Sequence, residues 1–365
     1  MARLILVANP GTPRCAAFVR AARGCGVEPV VVPWADVIPV GGSLDQLREF
    51  DPPAVVRLES PGKDAVVSRL LLAAGDPRTD WSGVPQTKGL LVRPGLQHRG
   101  FARVLAGLRK SFDARPHLIP SACPHAVARM FDKNGTLAEL SAAGVPVPEY
   151  IPPHELPAEP DSLLAAVQDR GWPVAYLKLN TGASGTGIVV VRFDGSAWSG
   201  TTTLLRRGNE FFNTRRLQPV SGVELRACVA FLLREGITVQ RGIPHAQLDG
   251  QNADLRVVCL GGKPAATVFR LSPHPITNLH LGGRRGEWQR CRDAIPTRCW
   301  LDALDSASTA AGCFDSLRVG VDVVFEPGFR RHAVLEVNAF GDFFPGWTDP
   351  TGRSLHQIEL AARLR

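Results

Sequence analysis

Hydrophobic positions in the first third of the chain alternate between short apolar runs and amphipathic stretches. The pattern predicts strands at "RLILVAN" and "EPVVVPW" and, between them, a helix at "TPRCAAFVRAARGCG" that ends in glycine. A strand, a helix and a second strand in this order favour a parallel sheet. We therefore predict an α/β domain over residues 1–120.

The pattern changes at residue 121, where helices alternate with pairs of strands. Helices are predicted at "FDKNGTLAELSAAG", "PDSLLAAVQDRG", "WLDALDSASTAAG" and "SLHQIELAARLR", and hairpins at "ADLRVVCLGGKPAATVFRL" and "RVGVDVVFEPGFRRHAVLEVNAF". This mixture is typical of an α+β unit, which we place over residues 121–365. The proline-rich stretch 151–160 is a plausible connector between its subdomains.

A glycine-rich loop lies between two apolar runs in "YLKLNTGASGTGIVVVR", residues 176–192. Phosphate loops of the Rossmann and Walker kinds lead into a helix, but four β-branched residues follow this loop, so it joins two strands of a hairpin. Such a flap can hold phosphate through backbone N–H groups, and the alternative is a plain turn of small residues. Lys178, inside an apolar strand, favours a ligand because its desolvated charge needs a partner.

A second group of polar residues lies in the last predicted hairpin. Glu336 and Asn338 are two residues apart, so they project from the same face of a strand. A register centred on residue 329 places Asp322 opposite Glu336, and two facing carboxylates need a cation between them. The three oxygen ligands suit Mg²⁺. The alternative is a different register, with one carboxylate exposed.

Composition narrows the function classes. The chain of 365 residues has a net charge of +8, but its basic residues form no run longer than two, so we expect no nucleic-acid partner. No apolar run is long enough for a membrane span, and the opening apolar stretch is too short for a secretion signal. We therefore expect a cytoplasmic protein without a membrane partner. Eight dispersed cysteines without a C-x-x-C pair argue against a zinc site or a disulfide framework.

Four signatures in this order resemble the ATP-grasp superfamily over about residues 120 to 345. They are "DK…GVPVP" with Lys133, "LKLNTGASGTG" with Lys178, "ADLRVV…R", and "DVV…LEVN"; two of only six lysines thus fall at expected places. The resemblance implies an N-terminal pre-ATP-grasp domain followed by a two-subdomain ATP-grasp fold, with a lid at about 160–242. It also implies ATP and Mg²⁺ as cofactors.

The later motifs look most like the branch of glutathione synthetase and the ribosomal-protein glutamate ligases. By that match the catalytic candidates are Arg256, Arg270, Asn278 and His280, beside Gly282 and Gly283. For Arg256 the alternative is a cross-strand ion pair with Asp254 or another carboxylate, and for His280 a loop histidine that bonds only backbone. The base-binding hinge matches "VQRGIP", which supplies Gln240, Arg241 and Ile243.

The resemblance implies an ATP-dependent carboxylate–amine or carboxylate–thiol ligase that forms an acyl phosphate and releases ADP and phosphate. Its nucleotide would be held by the residues Lys133, Lys178, Gly182, Ser184, Gly185 and Gly187 together with the hinge, and its metal by Asp322, Glu336 and Asn338. The partners would be a small-molecule or peptide carboxylate and a nucleophilic acceptor, in a monomer or homodimer. Kinase activity on a hydroxyl and non-catalytic nucleotide binding are the alternatives.

Two segments are not explained by the resemblance. Residues 206–222 either read the substrate or extend the lid. The aromatic residues Phe340, Phe343, Phe344 and Trp347 either floor an acceptor pocket or pack in the core.

Overall fold

The N-terminal part of the chain is built on a parallel sheet. A computed structural model describes residues 3–45, 53–62, 64–342 and 344–363. Its first elements are β1 (Arg3–Ala8), α1 (Pro13–Gly24), β2 (Val30–Pro33), α2 (Trp34–Val37), β3 (Ala54–Leu58), α3 (Ala65–Gly75), α4 (Pro94–Asp113) and β4 (Leu118–Pro120). The four strands pair in the order β2-β1-β3-β4, all parallel. Thr12 begins α1 by accepting a hydrogen bond from the Cys15 N–H. The predicted β-α-β opening is confirmed.

The middle of the chain forms an antiparallel sheet of five strands. The elements are α5 (Pro124–Phe131), α6 (Lys133–Ala142), α7 (Pro160–Asp169), β5 (Val174–Leu179), β6 (Ile188–Phe193), β7 (Trp198–Arg207), β8 (Glu210–Ser221), α8 (Gly222–Glu235) and β9 (Ile237–Arg241). The strand order is β8-β7-β6-β5-β9. Residues 180–187, which we name the flap, join antiparallel β5 and β6, as the β-branched run predicts. The insert 206–222 extends this sheet as β8, its outermost strand.

The C-terminal part carries a larger antiparallel sheet. It comprises β10 (Gln247–Leu248), β11 (Gln251–Leu260), β12 (Lys263–Ser272), β13 (Arg284–Arg285), α9 (Trp288–Asp293), α10 (Thr297–Gly312), β14 (Arg318–Phe325), β15 (His332–Asn338) and α11 (Leu355–Arg363). The order is β13-β12-β11-β14-β15, with β10 also on β11. Both predicted hairpins are present, as β11–β12 and β14–β15.

Each hairpin contains a bulge that changes its register. In β14–β15 the turn-side pair is Val323 with Val334, but the next is Asp322 with Glu336, so Leu335 is an extra residue. The β11–β12 register shifts in the same way between Val258 and Cys259. Because a one-residue shift turns every later side chain to the other face, these bulges determine which charged residues meet. The predicted pairing of Asp322 with Glu336 is confirmed.

Packing separates the five-stranded sheet from the rest. One buried cluster joins the parallel sheet, through residues such as Ile5 and Val56, to the larger antiparallel sheet, through Val257 and Val321. The five-stranded sheet has its own core, which includes Leu177 and packs against α7 and α8. This separate core is consistent with a lid, and the exact domain boundaries stay predictions.

Two further expectations concern cysteine and aromatic residues. All eight cysteines are free thiols. Phe344 is buried in a small core cluster against which Trp347 packs, and Phe340 packs against the main core, which favours the core interpretation of this segment. Phe343 lies outside the described residues. Within the described ranges, no helix combines the length and the apolar character that crossing a bilayer would require.

Candidate active site

A cleft lies between the five-stranded sheet and the larger antiparallel sheet. Its lining unites nine residues that the sequence marked as candidates: Lys178, Gly185, Gln240, Arg241, Ile243, Arg270, Asn278, Asp322 and Glu336. These residues come from segments that are far apart in the sequence, so the fold brings the predicted flap, hinge and metal strands to one place.

Lys178 is held in the cleft by a short chain of hydrogen bonds. Its Nζ donates to Gln240 Oε1 at 2.6 Å, and Gln240 Nε2 donates to the carbonyl oxygen of Leu335 at 3.4 Å. Leu335 is the extra residue of the β15 bulge, so its carbonyl oxygen lies outside the regular ladder. Burial lowers the pKa of Lys178 to about 8, although Glu336 raises it in part. The sequence predicted a partner for the Lys178 charge. In the structure that partner is the amide oxygen of Gln240, and the Glu336 carboxylate interacts with the same charge.

Lys133 reaches the flap from the start of α6. Asp132 caps this helix by accepting from the Gly135 N–H at 3.2 Å, and it also accepts from Asn180 Nδ2 at 2.9 Å. The Lys133 ammonium donates to the carbonyl oxygen of Gly182. Its charge also lowers the pKa of Lys178. The two predicted lysines are thus close enough to interact electrostatically, one below the flap and one in the cleft.

The flap is folded over the segment that follows β12. Ser184, Gly185 and Gly187 have φ angles of 55°, 76° and 64°, in the left-handed region that favours glycine. A Cβ at Gly185 would lie 3.0 Å from Leu281 Cδ1 and 3.5 Å from Asn278 Nδ2. The flap therefore packs directly against the predicted "NLHLGG" segment. Ser184, as a non-glycine residue at positive φ, adds backbone strain at this position.

Four buried charges form a connected cluster at the floor of the cleft. Arg270 Nε donates to Asp254 Oδ1 at 2.8 Å, and its Nη2 lies 3.1 Å from Asp322 Oδ1. Arg256 binds Asp322 with two hydrogen bonds, one of them at 2.9 Å from Nη2 to Oδ2. Thr277 Oγ1 donates to Asp254 Oδ2 at 2.5 Å. Although burial raises the pKa of Asp322, Arg256 and Arg270 outweigh it and lower that pKa to about 2.

Arg256 therefore adopts the ion-pair alternative considered for it. It faces Asp322 directly across the β11–β14 ladder, and it is 9% exposed. The two facing carboxylates, Asp322 and Glu336, were predicted to need a cation between them. The Arg256 guanidinium supplies at least part of that positive charge. A role for Arg256 at a phosphate stays a prediction.

The predicted metal ligands fit a hard cation with one restriction. Asp322 accepts from three guanidinium N–H groups and has about four lone-pair positions, so about one remains for a metal. Glu336 faces it across the ladder and lines the cleft. Asn338 Nδ2 is buried with no hydrogen-bond partner in the described chain, and because an amide N–H only donates, Oδ1 is the atom of Asn338 that could bind a metal. Within the described residues no three His, Cys, Asp or Glu side chains form a metal cluster, so the amide would have to complete the set.

The other predicted residues lie around the cleft and do not line it. They are Lys133, Gly182, Ser184, Gly187, Arg256, His280 and Asn338. The His280 backbone N–H donates to Asn278 Oδ1 at 2.8 Å, in a short 3₁₀ turn over residues 279–281. Gly282 follows with a φ of 90°, which a turn of this kind requires of glycine.

The sequence interpretation missed three ionisable residues of the cleft lining. Tyr176 shares a face of β5 with Lys178, so the alternation of that strand predicts its position, and its hydroxyl donates to the Pro275 carbonyl oxygen at 2.7 Å. Asp254, considered only as a partner for Arg256, pairs with Arg270 because of the β11–β12 bulge. His245 also lines the cleft, and burial lowers its pKa. No sequence signal pointed to it.

No family model and no curated protein matches the sequence. Among solved structures, the ATP-grasp ligase PsnB complexed with a minimal precursor aligns with a TM-score of 0.58 at 16% identity, over 99% of this chain and 98% of PsnB. The D-cycloserine synthetase DcsG gives 0.56 at 16% identity, over 100% of both chains. The macrocyclase MdnC, bound with precursor peptide MdnA from Microcystis aeruginosa MRC, gives 0.53 at 13%, over 99% of both.

The chain has the ATP-grasp fold. The mixed α/β and α+β class predicted from the sequence is confirmed by this alignment, which spans almost the whole chain. The narrower assignment to the glutathione synthetase and glutamate ligase branch stays a prediction.

Proposed function

We propose that this ATP-grasp chain is an ATP-dependent ligase that activates a carboxylate as an acyl phosphate and joins it to a nucleophile. One observation carries the proposal: Lys178, Arg270, Asp322 and Glu336 line a single cleft beneath a glycine-rich flap. Phosphoryl transfer needs charge neutralisation and positioning more than a protein nucleophile, and this is the chemistry that the cleft supplies.

In this proposal the nucleotide lies between the two antiparallel sheets. Gln240, Arg241 and Ile243 follow one wall, where backbone groups of β9 and the residues after it would contact the base. Lys178 and Lys133 would neutralise phosphate oxygens from opposite sides of the flap. Ser184 and Gly185 would contribute backbone N–H groups, because positive φ angles let the flap approach a ligand closely. The N–H groups of Gly182 and Gly187 already donate to Leu179 O and to Asn213 Oδ1, so these two glycines would shape the loop.

Charge developing on the transferred phosphoryl group would be stabilised by Arg270. Its planar guanidinium is already oriented by Asp254 and Asp322, so little reorganisation accompanies the reaction. Asp322, Glu336 and Asn338 would hold Mg²⁺, which would supply charge neutralisation at the phosphates. Asn278, His280 and Arg256 would act at the edge of the same site. The closed flap would exclude water, which hydrolyses acyl phosphates.

We propose the substrate classes from the solved structures to which this chain is similar. PsnB and MdnC are described with precursor peptides, and DcsG as a synthetase of D-cycloserine. We therefore propose a carboxylate that is either free or carried by a peptide, together with an amine-type nucleophile. The domain division at residue 120, a lid at about 160–242, a cytoplasmic location and a homodimer complete the proposal.

Hydroxylamine trapping tests this function. Purified protein with ATP, Mg²⁺ and a panel of carboxylic acids and acidic peptides should form hydroxamates together with ADP, because hydroxylamine intercepts an acyl phosphate. A hydroxyl kinase would release ADP and form a phosphate ester without hydroxamate. ADP binding without turnover on any member of a broad panel would favour the non-catalytic alternative.

A further inference from the structure

The insert at 206–222 contributes one side chain directly to the flap. The β7–β8 ladder pairs Thr202 with Gln218 and then Leu204 with Asn213, so residues 214–217 form an extended bulge in β8. Asn213 lies at the edge of this bulge. Its Oδ1 accepts a hydrogen bond from the backbone N–H of Gly187, the last flap residue, at 3.0 Å.

This contact satisfies a backbone group that the sheet does not satisfy. The pairing of β6 with β7 begins at Val189, so the amides of Gly187 and Ile188 lie beyond the ladder. The Ile188 N–H donates to Thr203 Oγ1 at 3.1 Å, and the Gly187 N–H to Asn213. Two side chains thus replace the missing ladder bonds where the flap joins its strand. An N–H left without an acceptor there would be unfavourable, because it would lose contact with water without a replacement partner.

Asn213 is itself fixed by the N-terminal part of the chain. Its backbone N–H donates to the Gly89 carbonyl oxygen at 2.7 Å, and the Leu91 N–H donates to the Phe211 carbonyl oxygen at 2.8 Å. Residues 89–91 therefore pair with the outer edge of β8 through one isolated antiparallel bridge, between Leu90 and Phe212. Gly89 has a φ of 84°, and a Cβ there would lie 2.7 Å from the Asn213 carbonyl oxygen, so only glycine fits this approach.

A second contact holds the same connection a few residues later. The N–H of Gly95, in the first turn of α4, donates to Glu235 Oε2 at 3.3 Å at the end of α8. Glu235 is 8% exposed, and a carboxylate is favourable at a helix N-terminus. The N-terminal region thus contacts the part of the chain that includes the five-stranded sheet at two places, residues 89–91 and Gly95.

We propose that Asn213 is a positioning residue for the flap, anchored by its pairing with residues 89–91. It holds the Gly187 amide, and through it the C-terminal end of the glycine loop, at the height above the cleft that nucleotide binding requires. The proposal rests on the proposed function, since the flap is taken to close over a nucleotide. It also assigns a role to the insert at residues 206–222. The sequence had left two alternatives for this insert, recognition of the substrate and extension of the lid.

Hydrogen exchange without nucleotide tests the positioning directly. Asn213→Ala should accelerate exchange in peptides covering residues 180–188 by about fivefold, which corresponds to about 1 kcal/mol for one lost hydrogen bond. Asn213→Asp keeps the acceptor oxygen and should retain the wild-type rate. Gln218→Ala is the matched control, because Gln218 contacts Thr214 in the same bulge and not the flap. Wild-type exchange in N213A would overturn the proposal.

Gly89→Ala provides a second variant that does not touch the flap. The added Cβ pushes the Asn213 backbone away, so exchange over residues 180–188 should again accelerate. Unchanged flap exchange in this variant would remove the anchoring role of residues 89–91, even if N213A behaves as expected. Circular dichroism establishes that each variant is folded.

Calorimetric titration with ADP and Mg²⁺ then separates this inference from the proposed function. N213A should bind ADP about fivefold more weakly than wild type and Q218A, which should be equal. If wild-type protein fails to bind ADP, the proposed function is wrong, while the exchange measurements still decide whether Asn213 positions the flap. Equal ADP affinity in N213A and wild type would contradict a role in nucleotide binding.

Discussion

Lys178→Met should make the nucleotide-free protein more stable at neutral pH while weakening nucleotide binding. The ammonium is partly buried, and burial lowers its pKa from 10.5 to about 8. At about 1.4 kcal/mol per pH unit, this corresponds to at most about 3 kcal/mol of unfavourable desolvation. Partial solvent exposure reduces the figure to about 2 kcal/mol. Loss of the hydrogen bond to Gln240 subtracts about 1 kcal/mol, so the net gain at pH 7 is about 1 kcal/mol.

The pH dependence of the stability difference between the two proteins tests whether desolvation of the Lys178 ammonium is its cause. Below pH 8 the lysine is protonated in both the folded and the unfolded protein, so the full penalty is present. As pH rises from about 8 to 10.5, the folded protein loses its proton before the unfolded chain does, and the penalty disappears. Wild-type protein should therefore gain about 2 kcal/mol relative to K178M over this interval.

Urea unfolding of both proteins from pH 6 to 10.5 measures this difference, because other titrating groups are common to both. A stability difference that is constant over the whole interval would show that the Lys178 ammonium is not desolvated. Calorimetry at pH 7 should show K178M binding ADP at least tenfold more weakly, since a desolvated cation beside phosphate is worth more than about 1.4 kcal/mol. Wild-type affinity would refute its role as a phosphate contact.

The remaining predictions concern the carboxylates and the flap. Glu336→Gln should reduce Mg²⁺-dependent ADP formation by at least about 100-fold without loss of fold, because it removes a charged metal ligand; near-normal turnover would exclude the metal site. Asp254→Asn leaves the buried Arg270 without its bidentate partner and should lower the free energy of unfolding by about 3 kcal/mol in denaturant titration; a loss below about 1 kcal/mol would show that solvent compensates. Gly187→Ala should weaken ADP binding more than Gly261→Ala. Both glycines have a positive φ, but a Cβ at Gly187 would lie 2.5 Å from Leu179 Cδ1, whereas a Cβ at Gly261 meets no described atom within 4 Å. Equal affinities, measured by calorimetry, would mean that the flap adapts freely.

Local sequence was sufficient wherever a single hairpin or turn decides the outcome. The β-branched run after Gly187 distinguishes a flap from a phosphate loop that leads into a helix, and the structure confirms the hairpin. For the flap, the strand pattern and a short connection leave few alternatives. The pairing of Asp322 with Glu336 was also predicted correctly, from a register centred on residue 329. The turn-side pair of Val323 with Val334 would by itself place Asp322 opposite Leu335, so this pairing depends on the bulge at Leu335.

The electrostatics of the floor could not be predicted in this way. From the turn-side pair of Leu260 with Lys263, an uninterrupted β11–β12 hairpin would place Asp254 opposite Phe269, but the bulge after Val258 places it opposite Arg270. A bulge in a central strand has no reliable signature in one sequence, since its cost is repaid by contacts elsewhere in the fold.

The sequence by itself determined the β-α-β opening, the two C-terminal hairpins, the glycine flap and the lysines beside it, because each depends on neighbours within one turn or hairpin. Only the tertiary structure decided that Arg256 neutralises Asp322, across strands that are adjacent in the sheet but not in the sequence. It also decided that Asn213 of the insert holds the flap. Both contacts depend on long-range register, which the pattern of one segment does not contain.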